Sequence, residues 1–406
     1  MRFLSAVLAV IMGLFGLLLP WHGLLSVLLP ESLSSLRLWK EALLALLGFI
    51  ALGQYLAASI AQRRLQPLPW VTLLSLLLLL WGGVALLTTP IASPYAVQAL
   101  RSLLLGPLVL GVITALPPRY RVPLSTFMTP LIISTVLGVV FGLWAWGDGF
   151  AVLSQWYSPT ISSWVPGQTL PLYHEAWGLP RMQGGASGPV AFAHMLLIAL
   201  WGLYYHPPRW PQWLRTLCGV VLLLGIGLSF TRAVWLVLAL WGLWQWHVRR
   251  PLRRWQWGGI LLLGALALSV LLPRAGTVHH VTAPMAVVQH FTQQATPGQY
   301  LTGRLGSIGP AARMQAMAEQ GTDRAPIAEN VWLDVLVQLG GVGLLLMIML
   351  WWQTYRGLEE AAQGLLLGFV LLTNMATLFD MTPLSLSFFL ALGLSYRPRT
   401  SRVAPV

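Results

Sequence analysis

Acidic residues are scarce in this 406-residue chain: Asp and Glu number 11 against 24 Lys and Arg, and charged residues of both signs make up only 9%. So little charge excludes an ordinary water-soluble domain, in which roughly a quarter of the residues are charged. Cysteine is rarer still. The single Cys218 excludes an intrachain disulfide and a cysteine-based metal site. Period-two alternation is also missing. Runs such as 73–80 and 261–272 are apolar on every side, which excludes the strand pattern of an outer-membrane barrel. No internal repeat of fixed period stands out.

What is present is hydrophobic, 57% of the chain. A helix needs roughly 20 mostly apolar residues to cross a bilayer. Such stretches recur near 3–29, 41–60, 70–88, 97–116, 124–146, 189–205, 214–230, 233–247, 258–272, 331–352, 363–379 and 382–396. Pro20 interrupts the first. No small-residue cleavage site precedes it and another apolar stretch follows, so a retained helix is expected rather than a signal peptide. The expected fold class is all-α: a polytopic transmembrane helix bundle of about twelve spans, one transmembrane domain over 1–406. Two connections are long, 147–188 and 273–330; the rest are too short to hold a domain.

The arginines give an orientation. Alternate short loops carry Arg63 and Arg64, Arg119 and Arg121, Arg209 and Arg215, Arg249 to Arg254, Arg356, and a tail with Arg397, Arg399 and Arg402. These loops are nearly free of acid apart from Glu359 and Glu360. Short basic loops mark the cytoplasmic side, so both termini are expected there. The basic balance is thus a topology signal with affinity for the lipid bilayer, not a nucleic-acid footprint. Both long loops then fall outside. The second is expected to be partly helical, with an amphipathic turn over 283–294 capped by Thr282 and another helix over 310–320.

Most acids also fall on the outer face, mixed with Lys40, Arg101, Arg181, Arg232 and Arg304. Charge at the edge of a span is costly unless it has a partner or a function. A mixed-sign cluster there suits an anionic, acceptor-rich ligand; helix-end snorkelling is the structural alternative. Four stretches stand out. Leu228-Ser-Phe-Thr-Arg-Ala-Val-Trp235 puts Arg232 in a very short outer turn, where a guanidinium can meet a phosphate or snorkel. Tyr300-Leu-Thr-Gly-Arg304 lies in the large outer loop. Ala328-Glu-Asn-Val-Trp332 puts Glu329 and Asn330 at the mouth of a span, as a general base or as a helix cap. Leu179-Pro-Arg-Met-Gln-Gly-Gly-Ala-Ser-Gly-Pro189 is a tight polar turn, an anion nest or a plain loop-to-helix junction.

Taken in order, Trp39-Lys-Glu41, Arg101, the Arg181 to Gly-Pro turn, Ser229-Phe-Thr-Arg232, Thr302-Gly-Arg304 and Glu329-Asn-Val-Trp-Leu…Gly340 resemble the O-antigen ligase and O-antigen polymerase superfamily. The likeness runs over roughly 39–395, and its specificity lies in motif order relative to the spans. The resemblance implies a glycosyltransferase of the bacterial inner membrane with its active site on the periplasmic face. The donor would be a glycan on an undecaprenyl-pyrophosphate carrier, and the acceptor a lipid-linked glycan (polymerase) or lipid A-core (ligase). Other polysaccharide-assembly proteins would be partners. It carries the pyrophosphate-holding role to Arg232 and Arg304, and the ligase His-Asn pair to Glu329-Asn330, where glutamate stands in place of histidine. The polymerase Gly-Pro-Asn is Gly-Pro-Val190 here. Arg181, Arg101, Lys40 and Asn330 are expected to bind substrate.

Such a transfer requires no cofactor and no metal. Guanidinium groups in a low-dielectric site neutralise the departing pyrophosphate, and Glu329 takes the acceptor proton with inversion at the anomeric carbon. One of the outer histidines, His174, His279, His280 or His290, is the alternative base. No metal-ligand spacing supports a metal at His279-His280. The alternative function is a transporter or flippase for a lipid or small anion, for which broken helices and polar groups near the midplane are expected.

Overall fold

The computed structural model describes residues 2–28, 38–87, 94–117, 120–147, 175–176, 179–186, 188–249, 331–373 and 382–397. Within these the chain is helical. In order the helices are α1 (Arg2–Leu18), α2 (His22–Leu28), α3 (Trp39–Ala61), α4 (Trp70–Leu87), α5 (Pro94–Ala115), α6 (Ser125–Gly147), α7 (Pro189–Tyr205), α8 (Gln212–Leu228), α9 (Arg232–Arg249), α10 (Val331–Gly357), α11 (Glu360–Thr373) and α12 (Thr382–Ser395). The one sheet among the described residues is a two-residue antiparallel pair, Glu175–Ala176 with Leu179–Pro180.

Four segments are long and apolar enough to cross a membrane: Leu4–Ser26, Trp39–Ala61, Trp70–Leu87 and Ser125–Ala145. They mark the chain as a membrane protein. Six further predicted segments contain shorter apolar helices, including Pro189–Tyr205 and Gln212–Leu228, and the one near 331–352 falls in α10. The expected span at 258–272, the 273–330 loop with its two predicted helices, and most of the 147–188 connection lie outside the described residues. The expected break in the first span is present. Pro20 cannot continue an α-helix, and Leu19–Trp21 form a single 3-10 turn between α1 and α2.

Neighbouring helices pack α1 on α6, α4 on α5, α5 on α12, α4 on α10 and α7 on α8. Phe15, Phe127, Phe192, Phe388 and Phe389 are fully buried at these contacts, and Phe369 stacks on Phe388 at 3.8 Å between ring centres. Elsewhere large apolar side chains face outward, among them Phe49, Ile60 and Leu80. That surface is costly in water but neutral against lipid tails. Lipid gives no hydrophobic drive for helix association, so packing and interhelical hydrogen bonds carry it. Thr72 Oγ1 donates to the Gly111 carbonyl at 3.0 Å, and Ser134 Oγ to the Leu17 carbonyl at 2.6 Å.

Helix α10 is interrupted. Gly340 has φ +68° and ψ −173°, backbone that only glycine adopts without strain. The Trp81 indole donates to the Leu339 carbonyl at 2.7 Å, so the break leaves that acceptor satisfied, as a low-dielectric setting demands.

Candidate functional site

At one end of the bundle, the end where α1 finishes and α3 and α5 begin, four neighbouring residues form a polar cluster. Lys40, in the first turn of α3, is almost fully buried. Its Nζ lies 3.2 Å from His22 Nε2 and 3.5 Å from Glu41 Oε1. The Arg101 guanidinium, two turns into α5, also bonds Glu41 Oε1. An ammonium has only hydrogens to offer. His22 Nε2 must therefore accept, and the neutral ring carries its proton on Nδ1. The His22 ring meets Trp39 edge-on at 6.1 Å. Two full cations against one carboxylate leave the cluster with a net charge of +1.

Among the described residues, four buried polar atoms of this cluster have no hydrogen-bond partner: His22 Nδ1, Trp39 Nε1, Arg101 Nε and Glu41 Oε2. Leaving a buried polar group unmade costs roughly 1–3 kcal/mol, more if charged, and native structures tolerate few such groups. Here four of them belong to neighbouring residues, while others are spread over the bundle, among them Gln54, His194 and His206. The cluster is open at its edge, since the Arg101 and Glu41 side chains are 33% and 25% exposed.

A second polar element abuts the first. The Leu24 amide, two residues beyond His22, donates to the Gly185 carbonyl at 2.9 Å. Trp21 lies so close over Gly185 that a Cβ there would strike the ring, and Gly184 before it has φ +53°. Those two glycines let the 181–186 turn lie flat against the start of α2. The same turn is tied to the α8–α9 junction. The Met182 amide donates to the Leu228 carbonyl at 2.9 Å. Arg181 Nε donates to the Ser229 carbonyl at 2.8 Å, and Nη2 to Thr231 Oγ1 at 3.0 Å. Phe230 takes φ +49°, and Thr231 accepts from the Val234 amide through its carbonyl at 3.0 Å. The turn thus ends at Arg232, the first residue of α9.

The residues singled out by sequence fare differently. Lys40 and Arg101 come together through Glu41. Arg181 joins the Ser229–Thr231 turn and fixes its shape, and the backbone of Arg232 starts the helix beside it. Arg304, Glu329 and Asn330 lie outside the described residues, the last two immediately before α10. His22 was not singled out by sequence. Its signal is a polar ring inside an otherwise apolar run, a placement that in membrane proteins points to function. His194 was missed for the same reason. It is wholly buried in the second turn of α7, with Nδ1 2.6 Å from the Val190 carbonyl, Nε2 without a partner, and its ring edge-on to Phe369.

The opposite end of the bundle is polar too, and there one guanidinium is saturated by backbone carbonyls. Arg121 donates to the carbonyls of Leu116 (2.9 Å), Thr114 (2.8 Å) and Tyr396 (2.6 Å), capping the last turn of α5 and tying it to the end of α12. Glu359 lies 3.2 Å from His206 and 3.8 Å from Arg397. Burial holds the His206 pKa below its ordinary value, against the upward pull of Glu359. His206, Glu359 and Arg397 border a cavity of about 380 Å³ with Val122, Leu124 and Leu394 in its wall. Set against known proteins, the chain matches no family model and no curated sequence.

Proposed function

We propose that this protein is a membrane glycosyltransferase that moves a glycan from an undecaprenyl-pyrophosphate carrier to an acceptor hydroxyl at the periplasmic face, as an O-antigen polymerase or ligase. The bundle has about twelve spans, both termini are cytoplasmic, and the 273–330 loop is periplasmic. What supports the reading is a single juxtaposition. Lys40 and Arg101, the Arg181 turn and the first residue of α9, Arg232, gather at one end of the bundle. That is the end the basic loops assign to the outside. Cations in a partly dry site stabilise a departing pyrophosphate without rearranging during reaction. In this reading Arg232 and Arg304 hold the pyrophosphate, Lys40, Arg101, Arg181 and Asn330 bind substrate, and Glu329 receives the acceptor proton.

The test is reconstitution of the full chain with an undecaprenyl-pyrophosphate glycan and candidate acceptors, without added metal. Transfer is expected, and R232A and R304A each reduce it by about 10²–10³-fold. Unimpaired transfer by both variants overturns the mechanism. The second reading, a transporter or flippase, is favoured by one observation, the interruption of α10 at Gly340, since discontinuous helices line many transport sites. Solute or lipid movement across sealed vesicles, with no glycan transfer, would establish it.

A further inference from the structure

The cluster at the start of α3 has a composition that specifies its ligand. Three of its unpartnered atoms are N–H donors: His22 Nδ1, Trp39 Nε1 and Arg101 Nε. The fourth, Glu41 Oε2, is an acceptor. The net charge is positive, because Lys40 and Arg101 share one carboxylate. Three N–H donors within one small cluster, on a positive background, suit an oxyanion. A carboxylate oxygen beside them requires a donor on the same ligand, and a hydroxyl supplies it. A bare anion leaves Glu41 Oε2 unmade, and a neutral sugar leaves the three donors without a charged acceptor.

We propose that His22, Trp39, Glu41 and Arg101 form a binding site for an acidic saccharide group, an oxyanion carried next to a free hydroxyl. Lys40, counted above with the substrate-binding residues, contributes by positioning the others. Its ammonium holds the His22 ring in the tautomer that points the Nδ1 hydrogen away from it, and its contact with Glu41 leaves Oε2 free. On the transferase reading, this is the site of the acceptor glycan. The donor pyrophosphate is assigned to Arg232, whose backbone follows the 229–231 turn that Arg181 braces. Donor and acceptor groups are then assigned to different guanidinium groups.

The same chemistry has two sources, a sugar acid or the headgroup of a glycerol-bearing anionic phospholipid, and calorimetric titration of the full chain in nanodiscs distinguishes them. In phosphatidylcholine discs, glucose 6-phosphate is expected to bind at least about tenfold more tightly than either glucose or inorganic phosphate. W39F, which removes one N–H and keeps the ring stack, weakens glucose 6-phosphate about tenfold, and so does H22F. W70F, at the far end of α4, changes nothing. Equal binding of glucose and glucose 6-phosphate, or an unchanged isotherm in W39F, overturns the proposal. Because W39F keeps the packing surface, it decides the matter even if H22F fails to fold. If discs containing phosphatidylglycerol abolish sugar phosphate binding, the occupant is bilayer lipid and the saccharide assignment falls. None of these readouts needs turnover. W39F-sensitive binding without any glycan transfer would sink the transferase reading and leave the site. Transfer with W39F-insensitive binding would do the reverse.

Discussion

Two arginines at opposite ends of the helix bundle are held in opposite ways. At the Arg121 end, a single guanidinium makes bonds to three backbone carbonyls and joins α5 to α12. At the His22 end, Arg101 shares a carboxylate with Lys40 and keeps its Nε without a partner, as do a histidine and a tryptophan next to it. A saturated cation stabilises the fold. An unsaturated one costs stability and is retained where something else binds it. The contrast separates a structural staple from a candidate site using hydrogen bonds alone.

Substitutions should therefore divide by end. The largest effect on stability is expected from R121A, which strips three carbonyls of their donor and should lower unfolding stability by about 3 kcal/mol. Thermal unfolding in detergent measures it, and glucose 6-phosphate binding by the folded fraction should stay intact. A loss of binding there would erase the distinction between the ends. Next comes G340A. A side chain at φ +68°, ψ −173° should cost about 1–3 kcal/mol, and W81F, which bares the Leu339 carbonyl, about 1–3 kcal/mol. R101Q should cost less, about 1 kcal/mol, because Lys40 still neutralises Glu41, while saccharide binding falls sharply. A stability loss as large as that of R121A would make Arg101 a staple as well.

The smallest effect is a pH dependence at the Arg121 end. Burial depresses the His206 pKa in the folded protein, so the unfolded chain holds more protons once pH falls below the ordinary histidine value of about 6.5. Stability should decline as pH drops through that value and level off below the folded pKa. H206F should flatten the slope between about pH 7.5 and 5, measured by unfolding temperature at each pH.

Much of the helical layout was legible in the sequence because length and apolarity are local properties. The break at Pro20 was legible for the same reason, since proline lacks the amide hydrogen. The start of α11 was less so: sequence periodicity places it near 363, while the helix begins at Glu360; 374–379, the rest of that expected span, lie outside the described residues. Within the site, Lys40 and Arg101 stood out as charges at span edges. Their bond through Glu41, between residues 60 positions apart, did not, because pairing depends on which helices pack side by side. Arg181 stood out as a candidate for binding substrate; that it braces the 229–231 turn did not show in the sequence. Arg121 read as one more basic loop residue and is the cap of α5.

The sequence by itself determined that this is a helical membrane protein. A chain with 57% hydrophobic and 9% charged residues in long uninterrupted runs has no other way to satisfy its backbone away from water. It also marked which charges sit at the ends of those runs. The tertiary structure decided which of them are spent on the fold and which are left open. That depends on distances between helices remote in sequence, and it brought His22, unremarkable within its apolar run, to the centre of the candidate site.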